Sequence, residues 1–131
     1  MVPTQTEKRG PFAIERKAGK APGTVIFHFS GTFTARDMYT SLPPASLEGM
    51  LAFLSTPGEE PPALNILDLT DVPYMDSSGL ATIVRQYVRC KGRGIAFIAA
   101  GASPRVVELL KLTRLDGVIP MAATLEEADI Q

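Results

Sequence analysis

One cysteine, one histidine and no tryptophan stand in this chain of 131 residues, and each scarcity removes a class of chemistry. Cys90 has no second cysteine with which to close an intramolecular disulfide. One cysteine and one histidine cannot build a structural zinc site, and Asp68 with Asp71 flank a loop as turn residues rather than as metal ligands. His28 falls in a predicted strand and reads as a satisfied core or surface histidine, not as the base that a serine nucleophile would need. The G-x-S-x-G elbow is missing too, because Met75 and Asp76 occupy the positions two before Ser77 and Ser78. There is no G-K-[ST] phosphate loop, and Gly92 with Gly94 does not extend to G-x-G-x-x-G because Phe97 stands third. The expectation is therefore no enzyme, no metal and no cofactor. A formal net charge of -1 leaves no basic footprint for direct contact with nucleic acid or an acidic membrane. No apolar run approaches the roughly 20 residues of a membrane span. The start, M-V-P-T-Q-T-E-K-R-G, carries no apolar segment of a secretory signal. A cytoplasmic protein is expected.

What is present suits one domain, since 45% hydrophobic residues in a chain of this length make a real core but not two. Residues 1–11 read as a loose polar arm and 12–131 as the folded domain. Phe12 to Arg16 alternates as an edge strand. Thr24 to Phe29 is a stronger one, with Val25, Phe27 and Phe29 on one face, Ile26 and His28 on the other, and Gly31 ending it. Ala35 to Leu42 predicts two helical turns, interrupted by Pro43 and Pro44 before Leu47, Met50, Leu51 and Leu54 resume helical spacing. Thr56 to Ala63 is a loop. Lys91 to Gly94 makes a turn and Ile95 to Ala100 a buried strand. Ser103 caps a helix with Pro104 at its first position; Val106, Val107, Leu109 and Leu110 point inward and Gly117 stops it. Lys111 and Arg114 complement its C-terminal end. Val118 to Met121 forms a short last strand and Thr124 caps a final turn. Strands alternating with helices predict a mainly parallel or mixed sheet.

The densest signal is Leu64 to Gly79, L-N-I-L-D-L-T-D-V-P-Y-M-D-S-S-G. Leu64, Ile66, Leu67 and Leu69 predict a buried strand, broken by Asp71 to Pro73. A helix follows, capped by Asp76 or Ser77, with Leu80, Ile83, Val84, Tyr87 and Val88 as its apolar stripe and Arg85, Gln86 and Arg89 on the wet side. A serine hydroxyl is thereby offered to solvent at a helix start, where negative charge is favoured.

V-P-Y-M-D-S-S-G-L, with F-H-F-S-G-T-F before the first helix and S-P-R-V-V-E-L-L-K-L-T-R-L-D-G near the end, resembles STAS domains, in particular bacterial anti-sigma-factor antagonists. The resemblance runs from about Phe12 to about Leu125. It implies an α/β STAS fold: a small mixed, mainly parallel sheet of four to five strands, covered by helices mainly on one face. It also implies that Ser77 is the phosphorylated residue. The function implied is binding of an anti-sigma factor with serine-kinase activity, ended by phosphorylation, so that transcription is regulated indirectly; a phosphatase is a further possible partner. Thr34, Arg36, Asp37, Tyr74, Met75, Asp76, Ser78 and Gly79 are then the candidate partner contacts. Arg36, Asp37 and Tyr39 read equally as solvated surface, and Met75 as a core plug. The alternative is a STAS sensing or scaffold module that takes a small ligand or other STAS domains, as a monomer or weak homodimer. One departure is plain: antagonists of this kind commonly carry an acid in G-E-L-D after the second strand, whereas Gly31 is followed here by Thr32, Phe33 and Thr34.

Overall fold

The structure, a computed structural model, describes residues 12–41, 51 and 60–129. Five strands form one sheet in the order β1-β2-β3-β4-β5: β1 (Ala13–Ala18), β2 (Thr24–Ser30), β3 (Leu64–Asp71), β4 (Ala96–Ala100) and β5 (Met121–Ala122). β1 pairs antiparallel with β2, through a turn in which Gly23 has φ +82°. The remaining pairings are parallel. Four helices are described: α1 (Ala35–Ser41), α2 (Ser77–Gly92), α3 (Pro104–Leu112) and the single turn α4 (Leu125–Ala128). The expected arm, the Pro43–Pro44 interruption, the apolar positions Leu47, Met50 and Leu54, and the first part of the loop from Thr56 lie outside the described residues. Leu51 is described and buried.

Strand order explains why the cover is one-sided. Each parallel strand is added on the same side of its predecessor, and right-handed crossovers then carry every connecting helix over the same face. That face holds the main core, in which Phe27, Phe29, Leu67, Leu69, Phe97 and Ala99 of the sheet meet Met38 of α1, Leu80 and Ile83 of α2, and Val106 and Leu110 of α3. The opposite face carries Ile26, Leu64, Ile66 and Ala100, covered by Ala128 and Leu125 of α4. The expected segregation of Val25, Phe27 and Phe29 from Ile26 is the one observed. β3, with neighbours on both sides and cover on both faces, is buried from Leu64 to Leu69; each of its apolar side chains Leu64, Ile66, Leu67 and Leu69 contributes about 1.5–3 kcal/mol relative to exposure.

Three local expectations fail, each for an identifiable reason. On α2 the buried stripe is Gly79, Leu80, Thr82, Ile83, Gln86 and Cys90, while Val88, expected inside, is 59% exposed. The helix is rolled toward its polar residues because Gln86, expected on the wet side, has partners in the core. Its Nε2 donates to Asn65 Oδ1 at 2.8 Å and to the Leu51 carbonyl at 3.2 Å, its Oε1 accepts from Arg89 at 2.6 Å, and Asn65 Nδ2 donates to the Val25 carbonyl at 3.1 Å. A fully bonded amide costs little to bury; the same group with one partner removed costs its desolvation. Gln86→Leu is therefore expected to lose about 1–3 kcal/mol in urea unfolding, with Asn65→Leu added to it recovering part of the loss. Equal stability of Gln86→Leu and the parent would disprove that account.

α3 ends at Leu112, five residues before the expected stop at Gly117. The hydroxyl of Thr113 donates to the carbonyls of Leu109 and Leu110 at 2.9 and 3.1 Å, and Arg114 makes the left-handed turn at φ 62°, a role for which Gly117 is the more obvious residue. Of the four inward positions, Val106 and Leu110 are buried and Val107 and Leu109 half-buried. With α3 ending early, the last strand shifts to Met121–Ala122 and Val118 is left exposed. Cys90 is buried beside Asn65, and burial pushes its thiol up to about 11, which leaves it unreactive near neutral pH.

Candidate functional site

The site is built around one carboxylate. Asp76, the residue between the Phe33–Met75 bridge and α2, is the N-cap of α2: its Oδ1 accepts from the backbone N–H groups of Ser78 and Gly79 at 2.9 and 3.1 Å. Its Oδ2 accepts from the N–H of Ala35 at 3.2 Å, the first residue of α1. Asp76 thus ties two helix starts together and is half-buried. Nothing local announces the second bond, because Ala35 lies 41 positions away. Thr34 caps α1 from its own side, its Oγ1 accepting from the Asp37 N–H at 3.2 Å.

Beneath this junction the backbone of Phe33 runs parallel to that of Met75. Its N–H donates to the Tyr74 carbonyl at 2.9 Å, and its carbonyl accepts from the Asp76 N–H at 3.2 Å. The Phe33 ring is stacked on Phe12 at 4.9 Å and tilted on Phe29 at 5.0 Å. Apolar packing therefore holds the strand of chain on which the cap is hung. The loop after Gly31 carries no acid of its own, yet a carboxylate reaches it: the Thr32 hydroxyl donates to Asp37 Oδ2.

Ser77 is the first residue of α2 and is exposed. Asp76 and Ser78 flank it half-buried; at the start of α1, tied to Asp76 through the Ala35 N–H, Thr34 and Asp37 are half-buried and Arg36 is exposed. Met75 and Gly79 are buried beneath it, so both hold the site from below. Of Tyr39, only the backbone is described. Tyr74 is 39% exposed and lines, with Asp76, Ser77, Arg105, Glu108, Leu109 and Leu112, a groove of about 350 Å³. The α3 wall of that groove is the part that reading the chain misses. Its residues are separated from Ser77 by a whole helix and strand, and only the parallel register of β3 and β4 sets α3 beside the start of α2.

His28 stands apart from Ser77. It projects from β2 on the face of Ile26, with Nδ1 2.7 Å from Asp68 Oδ2 and Nε2 3.0 Å from Asp71 Oδ2. Both ring nitrogens face carboxylates, so the histidine is satisfied as expected. Burial alone would raise the carboxyl of Asp68; hydrogen bonds from the Thr70 side chain and N–H and from His28, together with the charge on His28, outweigh it and hold the carboxyl below its ordinary value of 3.8. A carboxyl held low in the folded state stabilises the fold above its unfolded value, and that contribution is lost as the pH falls through the folded value. Thermal stability is thus expected to decline more steeply below about pH 3.8 in the parent than in Asp68→Asn. Parallel pH profiles for the two proteins would contradict it. Among the described residues no cluster of three or more His, Cys, Asp or Glu side chains could hold a metal ion, and no helix is long and apolar enough to cross a membrane.

The STAS-domain family model matches residues 47–128. The chain belongs to the STAS family. Among solved structures, the STAS domain is similar to an anti-sigma-factor antagonist domain protein of Planctomyces limnophilus, with a TM-score of 0.71 at 23% identity over 89% of this chain and 95% of that one. It is also similar to the Bacillus cell-fate determinant SpoIIAA in its phosphorylated form, with a TM-score of 0.60 at 18% identity over 88% and 96%. In sequence it is 30% identical over 120 residues to solute carrier family 26 member 10 of Mus musculus. That match takes in 88% of this chain and 17% of the mouse protein, so the chain spans about a sixth of that relative. These likenesses agree with the α/β architecture of a mixed five-stranded sheet covered mainly on one face.

Proposed function

We propose that this STAS domain is an anti-sigma-factor antagonist that binds an anti-sigma factor with serine-kinase activity and is released when Ser77 is phosphorylated. The observation that carries the reading is the exposure of Ser77 on a helix start fixed from below by Asp76, Phe33 and Gly79. A phosphoacceptor needs no base of its own, since the kinase brings base, metal and nucleotide. The phosphate adds a charge of about -1.5 to -2 at neutral pH. With the frame beneath Ser77 held by cap and core, the signal arises at the interface, where a partner must desolvate a dianion. Thr34, Arg36, Asp37, Tyr74 and Ser78 form the rim such a partner meets. A phosphatase would return the protein to its binding form.

Affinity capture from a lysate of the source organism tests it, with the parent, Ser77→Ala and Ser77→Asp as baits and mass spectrometry as readout. An anti-sigma factor of the serine-kinase type is expected on the first two and not on the third. With magnesium and ATP that kinase should add one phosphate, mapping to Ser77 and not to half-buried Ser78. A parent bait that captures no such kinase would end the proposal. The mouse transporter relative favours one other reading, a STAS module that binds a small ligand or assembles with other STAS domains; it would gain from capture of a transporter or of a second copy.

A further inference from the structure

Arg105, on the first turn of α3, lies with its guanidinium carbon 4.7 Å from the centroid of the Tyr74 ring. Both line the groove that contains Ser77, and Arg105 is the cation among the groove's lining residues. Among the described residues it makes no ion pair, not even with Glu108 one turn along α3 in the same groove. Stacking on an aromatic ring occupies the face of a guanidinium and leaves its N–H edges for hydrogen bonds. Those edges match phosphate oxygens in a two-pronged arrangement. The carboxylates that face the groove are Glu108 and Asp76, and the oxygens of Asp76 already accept three backbone N–H groups.

We propose that Arg105, held on Tyr74, is the intramolecular counter-ion of a phosphate on Ser77; the inference rests on reading Ser77 as the phosphoacceptor. Arg105 then decides how the modified surface looks to a partner. Phosphorylation draws the guanidinium edge onto the phosphate and turns the groove from a slot with an unpaired cation into one closed by an ion pair. The surface that phosphorylation closes to a partner therefore includes the groove wall of α3 as well as the start of α2.

The test is a ³¹P NMR titration of the full chain carrying phosphoserine at position 77, installed during translation, compared with the same protein bearing Arg105→Gln or Glu108→Gln. The second ionisation of the phosphate is expected about half a pH unit or more lower with Arg105 than with Arg105→Gln at low ionic strength, and the gap should shrink in concentrated salt. Glu108→Gln should move the midpoint down. Superimposable titrations of the parent and Arg105→Gln would overturn the proposal, as would a response to Glu108→Gln alone. Because the phosphate is installed without a kinase, the result is independent of whether any anti-sigma factor binds. A failed capture with a positive titration would reject the cellular role and keep the counter-ion, and the reverse pair would do the opposite.

Discussion

Ser77→Asp is expected to weaken binding of the captured anti-sigma factor by about tenfold or more, equivalent to about 1.4 kcal/mol, while the melting temperature of the isolated domain barely moves. The asymmetry follows from where Ser77 sits. Asp76 performs the capping, so the Ser77 side chain is spare; an acid in its place meets the positive end of α2, an interaction of about 0.3–1 kcal/mol that offsets repulsion from Asp76. Ser77→Ala should likewise leave stability within about 0.5 kcal/mol, because it removes no cap and installs the best helix former. It should retain full binding. Calorimetric titration of the partner into the three proteins, with melts of each, checks both halves. Equal affinity for the Asp and Ala variants would remove phosphorylation control from this position. A large fall in melting temperature for the Asp variant would mean that the frame itself, and not the interface, responds to charge.

The largest effect on stability is expected at Gly79, where helix propensity and packing make opposite forecasts. In an exposed helix Gly→Ala gains about 1 kcal/mol. Here a Cβ would overlap the Phe33 carbonyl oxygen and crowd Phe33 Cγ at 3.0 Å and Met75 Cβ at 3.1 Å. That same carbonyl accepts from the Asp76 N–H, so α2 cannot accommodate a methyl group without parting from the Phe33 segment. Gly79→Ala is expected to cost about 1–3 kcal/mol, a fall on the order of 5–10 °C in melting temperature. It should also weaken partner binding, since the tie between the starts of α1 and α2 loosens. A thermal melt decides between the forecasts: an Ala variant as stable as the parent would mean that the Phe33 segment yields freely and does not define the site. Gly92, with nothing within 4 Å of a Cβ, serves as the control where the propensity gain should appear.

These cases mark what reading along the chain could reach. The run Leu64 to Leu69, the caps Ser103 and Thr124 and the two faces of β2 depend on neighbours a few positions apart, and each stands where the pattern of residues places it; of the two caps read for α2 the structure takes Asp76, and β3 runs on through Asp71 before the expected break. Period and capping are local physics, and they were enough for the strand–helix alternation and for an exposed serine at a helix start. The roll of α2 was not legible, because Gln86 looks like any surface amide until Asn65 and the Leu51 carbonyl are known to face it. The end of α3 was not legible either, because Arg114 adopts a backbone conformation that glycine prefers.

The order of elements, the buried central strand and the position of Ser77 were thus determined by sequence alone, through hydrophobic periodicity and helix capping. The second bond of Asp76, the close approach of Gly79 to Phe33, the seating of Arg105 on Tyr74 beside Ser77 and the satisfaction of His28 by two carboxylates were decided by tertiary structure. Each depends on groups brought together by sheet register and helix packing, and contact across such sequence distances leaves no periodicity to read.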